Sequence, residues 1–144
     1  VHSALAVPLD ALLFAANRPT YIYTAVADEE KRSALEALGA TVITMPNKAG
    51  KEDLPAMLQD LGRKEINELH VEAGYKLNGS LLREGLIDEL LVYLAPKLMG
   101  EGMGLAQMTP LTSLAEAHAL SFHSVDRIGN DLRILARLQG RDRF

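Results

Sequence analysis

The chain has 144 residues, 48% of them hydrophobic and 24% charged, which is enough apolar side chain to build one domain's core and too much for a disordered segment. A formal charge of −4, with Lys and Arg scattered among acids, argues against a nucleic-acid partner or a polybasic membrane surface. There is no cysteine for disulfides or thiolate metal sites, no apolar run of the roughly 18 residues a membrane span needs, and no signal-peptide pattern, so a soluble cytoplasmic domain is expected.

The first predicted element is a strand over residues 20–25, β-branched and aromatic (Thr-Tyr-Ile-Tyr-Thr-Ala). Asp28 then caps a helix with Glu29 and Glu30 in its first turn, Leu35 and Leu38 on its apolar face and Gly39 as its stop. Residues 40–45 predict a second strand, closed by Pro46. Residues 51–64 read as a helix, with Leu54, Met57, Leu58 and Leu61 at spacings of three and four. A third strand is expected over 68–72, stopping at Gly74, and a helix over 77–84 with Leu77, Leu81 and Leu82 on its apolar face. Residues 88–95 are almost all apolar and predict a fourth strand buried on both faces, ended by Pro96. A glycine-rich loop at 100–104 and a helical turn at 114–118 follow. Residues 119–127 and 131–138 alternate around a turn at 128–130 and predict an antiparallel hairpin, and the charged tail 140–144 is expected to fray. Strands alternating with helices imply an α/β fold, a mostly parallel sheet flanked by helices with right-handed crossovers, ending in an antiparallel hairpin.

In open α/β sheets ligands bind where strands run into helices. The best such junction is Val71-Glu-Ala-Gly-Tyr-Lys-Leu-Asn-Gly-Ser80. Gly74 is expected to turn the backbone sharply with φ above zero, which a Cβ would penalise, and the free N–H groups and positive end of the helix behind it favour a phosphate. Gly79 lets either a ligand or a neighbouring element approach the backbone, and Glu72 at the strand tip can reach the same crevice. The spacing is not the three-glycine dinucleotide fingerprint, so both a phosphate site and a purely structural turn fit it. Lys97 at a strand end is compatible with a phosphate or with water. His2, His70, His118 and His123 lack metal-ligand spacing and read as surface residues, so no metal site is expected.

The run from Ile66 to Gly100 resembles the reductase domain of the bifunctional riboflavin-biosynthesis deaminase/reductase of bacteria. Three motifs carry the likeness: Val-Glu-Ala-Gly with Leu-Asn-Gly behind it, Gly-Leu-Ile-Asp-Glu, and Leu-Ala-Pro-Lys-Leu-Met-Gly. Val1-His-Ser, Pro8-Leu-Asp and Ile128-Gly-Asn-Asp-Leu-Arg extend it over nearly the whole chain. The resemblance implies a dihydrofolate-reductase-like fold and NADPH-dependent reduction of the ribosyl group of 5-amino-6-(5-phosphoribosylamino)uracil to the ribityl form. It places Glu72 at the substrate and Gly74, Tyr75, Lys76, Leu77, Asn78, Gly79 and Ser80 at the NADPH phosphates, with Ser3 also near NADPH. It assigns no catalytic residue. Two departures stand out: Tyr75 and Lys76 follow the glycine where Pro is common, and His2 stands where Asp is usual.

The resemblance further implies that the chain is the C-terminal portion of one pyrimidine reductase domain, the upstream strand and helix lying before Val1. No His-x-Glu with Pro-Cys-x-x-Cys occurs, so a linked deaminase domain would lie elsewhere in the parent protein. The piece alone is expected to have little activity, to form a homodimer, and to dimerise or be partly disordered near residues 1–17. Two other readings remain open: a non-catalytic α/β binding or dimerisation module, and an NADPH reductase of the same fold acting on another substrate.

Overall fold

The computed structural model describes residues 1–15 and 18–141. They divide into two units, Val1–Leu69 and His70–Phe144. Ala16 and Asn17, within the stretch expected to be disordered, and residues 142–144 of the tail lie outside the described residues.

In the first unit β1, Thr20–Thr24, pairs in parallel with β2, Ala40–Thr44, in a register running from Thr20 opposite Ala40 to Thr24 opposite Thr44. Parallel neighbours need a crossover, and α1, Glu29–Ala37, provides it. Asp28 caps α1 by accepting the Lys31 amide at 2.9 Å, and Gly39 turns the chain out of the helix at φ +87°, a conformation that a Cβ would strain. Leu35 from α1 joins Leu5, Ile22, Ala40 and Val42 in a buried core, with Val7 and Phe14 packed against it. Leu38 does not join them and is 42% exposed, because it is the C-cap residue, beyond the last full turn that holds the apolar stripe inward. The His2 amide donates to the Tyr23 carbonyl at 3.0 Å.

α2, Leu54–Arg63, starts at Asp53, whose carboxylate accepts the Ala56 amide at 2.9 Å, and buries Leu54, Met57 and Leu61. It is tied to β1 by the buried Tyr23, whose hydroxyl donates to Asp60 Oδ2 at 2.7 Å. Lys64 Nζ donates to the same oxygen at 2.6 Å. Burial first, and then the hydrogen bond to Asp60, holds the Tyr23 phenol well above its ordinary value. The hydrogen bonds from Lys64 and then Tyr23 hold the Asp60 carboxyl below its own.

The second unit holds α3, Tyr75–Arg83, and a three-stranded antiparallel sheet of β3, Glu89–Leu94, β4, Leu120–Ile128, and β5, Asp131–Leu138, in the order β3-β5-β4. The hairpin of β4 and β5 forms as the alternating pattern predicts, turning through Gly129 at φ +62°. Its register separates two faces. Leu90, Val92, Leu94, Leu132, Ile134, Ala136, Phe122 and Val125 fall on one. The other carries two cross-strand ion pairs, Arg137 with Glu89 at 2.9 Å and Arg133 with Asp126 at 2.8 Å. Arg141, within the tail expected to fray, donates to Asp88 at 2.9 Å and to the Gly85 carbonyl at 2.7 Å.

Three expectations need correction. Residues 68–72 are not a strand: none of the described strands pairs with them, and a β conformation without a ladder leaves its amides to water. The described strands consequently form two sheets rather than one. The apolar strand at 88–95 is not buried on both faces, because β3 pairs antiparallel with β5 at a sheet edge, leaving Tyr93 58% exposed. The α/β character itself stands, with parallel strands and helices followed by antiparallel C-terminal strands.

Candidate functional site

α3 begins at Tyr75, two residues earlier than the apolar pattern places it, because Tyr75 and Lys76 are ordinary helix residues and Gly74 serves as the N-cap. Gly74 stands at φ −83° rather than at the positive φ expected of it, because an N-cap takes extended backbone that any residue can adopt; it has no side chain to cap with, and the ladder starts when the Asn78 amide donates to its carbonyl at 3.1 Å. The amides of Tyr75, Lys76 and Leu77 therefore have no hydrogen-bond partner among the described residues. The first turn contains no acid, and Lys76 is exposed within it. This end of the helix is electropositive, and no carboxylate among the described residues caps it. Glu72 lies two residues before the cap with its side chain 88% exposed, and Oε1 stands 3.6 Å from His70 Nε2.

The second half of the motif has a different occupation. Asn78 Nδ2 donates to the Ala73 carbonyl at 3.2 Å and to the Leu105 carbonyl at 3.0 Å. The Gln107 amide donates to the Tyr75 carbonyl at 2.9 Å, and the Arg83 guanidinium donates to the Gln107 carbonyl and, at 3.1 Å, to Ser80 Oγ. Gly79 is buried beneath this segment, and a Cβ built on it would stand 2.7 Å from Gln107 N and 2.8 Å from Gln107 C. Of the two approaches Gly79 allows in principle, the one seen is that of a neighbouring protein segment. Ser80 is turned back into the helix, its hydroxyl donating to the Lys76 carbonyl at 3.3 Å.

The structure thus gathers residues 74–80 at one helix end, with Glu72 just before it. Ser3 belongs to the first unit, where its hydroxyl donates to Glu52 Oε2 at 2.8 Å. Arg83, Leu105 and Gln107 escape the sequence reading. The one local signal was Gly79 itself, since glycine inside a helix costs about 1 kcal/mol relative to alanine and asks for a reason.

The family described as the RibD C-terminal domain matches residues 1–134. This chain belongs to that family. It is 37% identical over 116 residues to the riboflavin biosynthesis protein RibD of Escherichia coli, an alignment covering 80% of this chain and 31% of that protein. A 5-amino-6-(5-phosphoribosylamino)uracil reductase of Buchnera aphidicola is 36% identical over 86 residues, 59% of this chain and 42% of that protein. The solved structure of Acinetobacter baumannii RibD matches with a TM-score of 0.76 over 93% of this chain and 35% of that one, at 23% identity, a likeness of fold. The chain spans less than half the length of each of these relatives. In this member of the RibD C-terminal domain family, the Val-Glu-Ala-Gly junction leads into an open helix end, and the Asn-Gly-Ser behind it supports a segment laid across the helix.

Proposed function

We propose that this chain is the C-terminal portion of an NADPH-dependent reductase domain that converts the ribosyl group of 5-amino-6-(5-phosphoribosylamino)uracil to the ribityl form in riboflavin biosynthesis. Family membership over residues 1–134 supports the reductase class, and the Buchnera relative that bears this activity in its name supports the substrate. The observation that carries the cofactor is the open N-terminus of α3. Three unpartnered amides, a cap with no side chain, no acid in the first turn and an exposed Lys76 together fit a phosphate.

On this reading the amides of Tyr75, Lys76 and Leu77 and the Lys76 ammonium hold a phosphate of NADPH. Asn78, Gly79 and Ser80 support that turn from behind, and Glu72 meets the substrate. NADPH supplies the hydride for the sugar C1′ after ring opening. The protein's share is to bind, orient and exclude water. A deaminase domain belongs to the rest of the parent protein, which acts as a homodimer.

The test is NADPH oxidation by the parent protein, followed by absorbance with the phosphoribosylamino pyrimidine as substrate. Lys76→Gln should raise the KM for NADPH by on the order of 10-fold, the worth of one charge-assisted hydrogen bond, and leave the KM for the pyrimidine unchanged. Glu72→Gln should do the reverse. Failure of the parent to oxidise NADPH with this substrate overturns the proposal, and an unchanged NADPH KM in Lys76→Gln overturns the phosphate assignment.

A further inference from the structure

Residues 100–107 pose a physical problem. The stretch carries Gly100, Gly102 and Gly104, which give the backbone wide freedom, and its apolar side chains do not anchor it: Met103 and Leu105 are exposed, as are Leu98 and Met99 just before it. What holds its C-terminal end is α3. Three backbone polar groups of the segment, the Leu105 carbonyl and the Gln107 amide and carbonyl, are each met by a group of the helix: Asn78 Nδ2, the Tyr75 carbonyl and the Arg83 guanidinium. At 100° per residue, positions 75, 78, 79 and 83 share one face of a helix, and Gly79 in their midst lacks the side chain that would keep the segment away. The same clasp brings Gly104 against the ring of Tyr75, the first residue of α3, where a Cβ on Gly104 would lie 3.7 Å from Tyr75 Cε2.

We propose that Arg83 and Asn78 are positioning residues. By fixing residues 105–107 across Gly79 they hold the glycine-rich loop 100–104 beside the open end of α3 and so set the space a ligand's anion meets there. The inference about the ligand rests on the reading that α3 takes a phosphate of NADPH, whereas the inference about the loop does not. The Arg83 guanidinium donates through Nη1 to the Gln107 carbonyl and through Nη2 to Ser80 Oγ. Its effect on binding is exerted through the segment it holds.

Hydrogen–deuterium exchange on the chain, comparing wild type with Arg83→Met and Arg83→Lys, tests the clasp. Arg83→Met should speed exchange in peptides covering 100–107 by on the order of 10-fold while β4 and β5 keep their protection, and Arg83→Lys should restore part of it. Unchanged exchange in 100–107, or an equal loss across β4 and β5, overturns the clasp. NADPH titration of the parent protein separates the two layers. Arg83→Met should raise the NADPH Kd by on the order of 10-fold, with Arg83→Lys between it and wild type. If wild type binds no NADPH, the proposed function fails, and the exchange result still decides the clasp. If the loop loosens while the NADPH Kd stays put, the functional reading survives, and the loop has no part in the site.

Discussion

Two helical glycines in this chain should respond to alanine in opposite directions. At Gly79 the added Cβ meets backbone atoms of Gln107 at 2.7 and 2.8 Å, and the segment must retreat by about 0.7 Å or more to reach ordinary contact near 3.4 Å. That retreat stretches the 2.9 Å bond from Gln107 to Tyr75 to about 3.6 Å and the 3.0 Å bond from Asn78 to Leu105 to about 3.7 Å, both beyond hydrogen-bonding range, and slackens the Arg83 contact. Two neutral bonds at about 1 kcal/mol each and one charged bond at about 2, less about 1 gained from alanine's helix preference, leave Gly79→Ala destabilised by about 3 kcal/mol. The usual cost of overpacking, about 1–3 kcal/mol, agrees. Gly62 in α2 has nothing within 4 Å of its Cβ position and no positive φ, so Gly62→Ala should stabilise by about 0.5–1 kcal/mol. Urea unfolding reads both, with a midpoint lowered by on the order of 1 M in Gly79→Ala and raised in Gly62→Ala. If Gly79→Ala matches or exceeds wild type in stability, the packing of residues 105–107 against α3 is wrong.

Three further perturbations concern the first unit. Tyr23→Phe removes the hydroxyl that bridges β1 to Asp60 and should cost about 1.5 kcal/mol by urea midpoint, as expected for a bond to a charged acceptor. Asp60 has its folded carboxyl value depressed, chiefly by Lys64 and then Tyr23, so its contribution is fully present above the ordinary carboxylate value of about 3.9 and fades as pH falls through the lower folded value. Midpoints measured down an acid series should therefore drop less steeply below about pH 4 in Asp60→Asn than in wild type. Asp53→Ala removes the acceptor for the Ala56 amide and should cost about 1 kcal/mol, seen as a lower thermal midpoint with unchanged helix content at low temperature.

What the sequence made legible was local. Asp28 names a helix start, Gly39 names a stop, and the alternation on either side of residues 128–130 names a hairpin, because caps, left-handed turns and pleats depend on residues a few positions apart. Leu69 and Val71 alternate as a strand should, yet a strand is a property of two segments, and no partner is present among the described strands. The apolar run in β3 gives the same kind of lesson: composition cannot say whether the second face is covered. At the site, the helix end behind Val-Glu-Ala-Gly was readable from glycine and position. The use of Gly79 was not, since Gln107 lies far along the chain and nothing near Gly79 points to it. Arg83 looked like an ordinary charge in a last turn, and only its reach to the Gln107 carbonyl gives it a task.

The hairpin's nine-residue β4 faces an eight-residue β5, and the surplus falls between Phe122 and Ser124, at His123. Phe122 and Val125 sit three apart, a spacing that an unbroken pleat would send to opposite sides. The extra residue acts as a phase shifter, joining two half-patterns that are out of step so that both point the same way. A chain lacking His123 would keep every remaining partner across the ladder, which makes this the one place in β4 where the gene could lose a codon without reassigning any side chain to the other side.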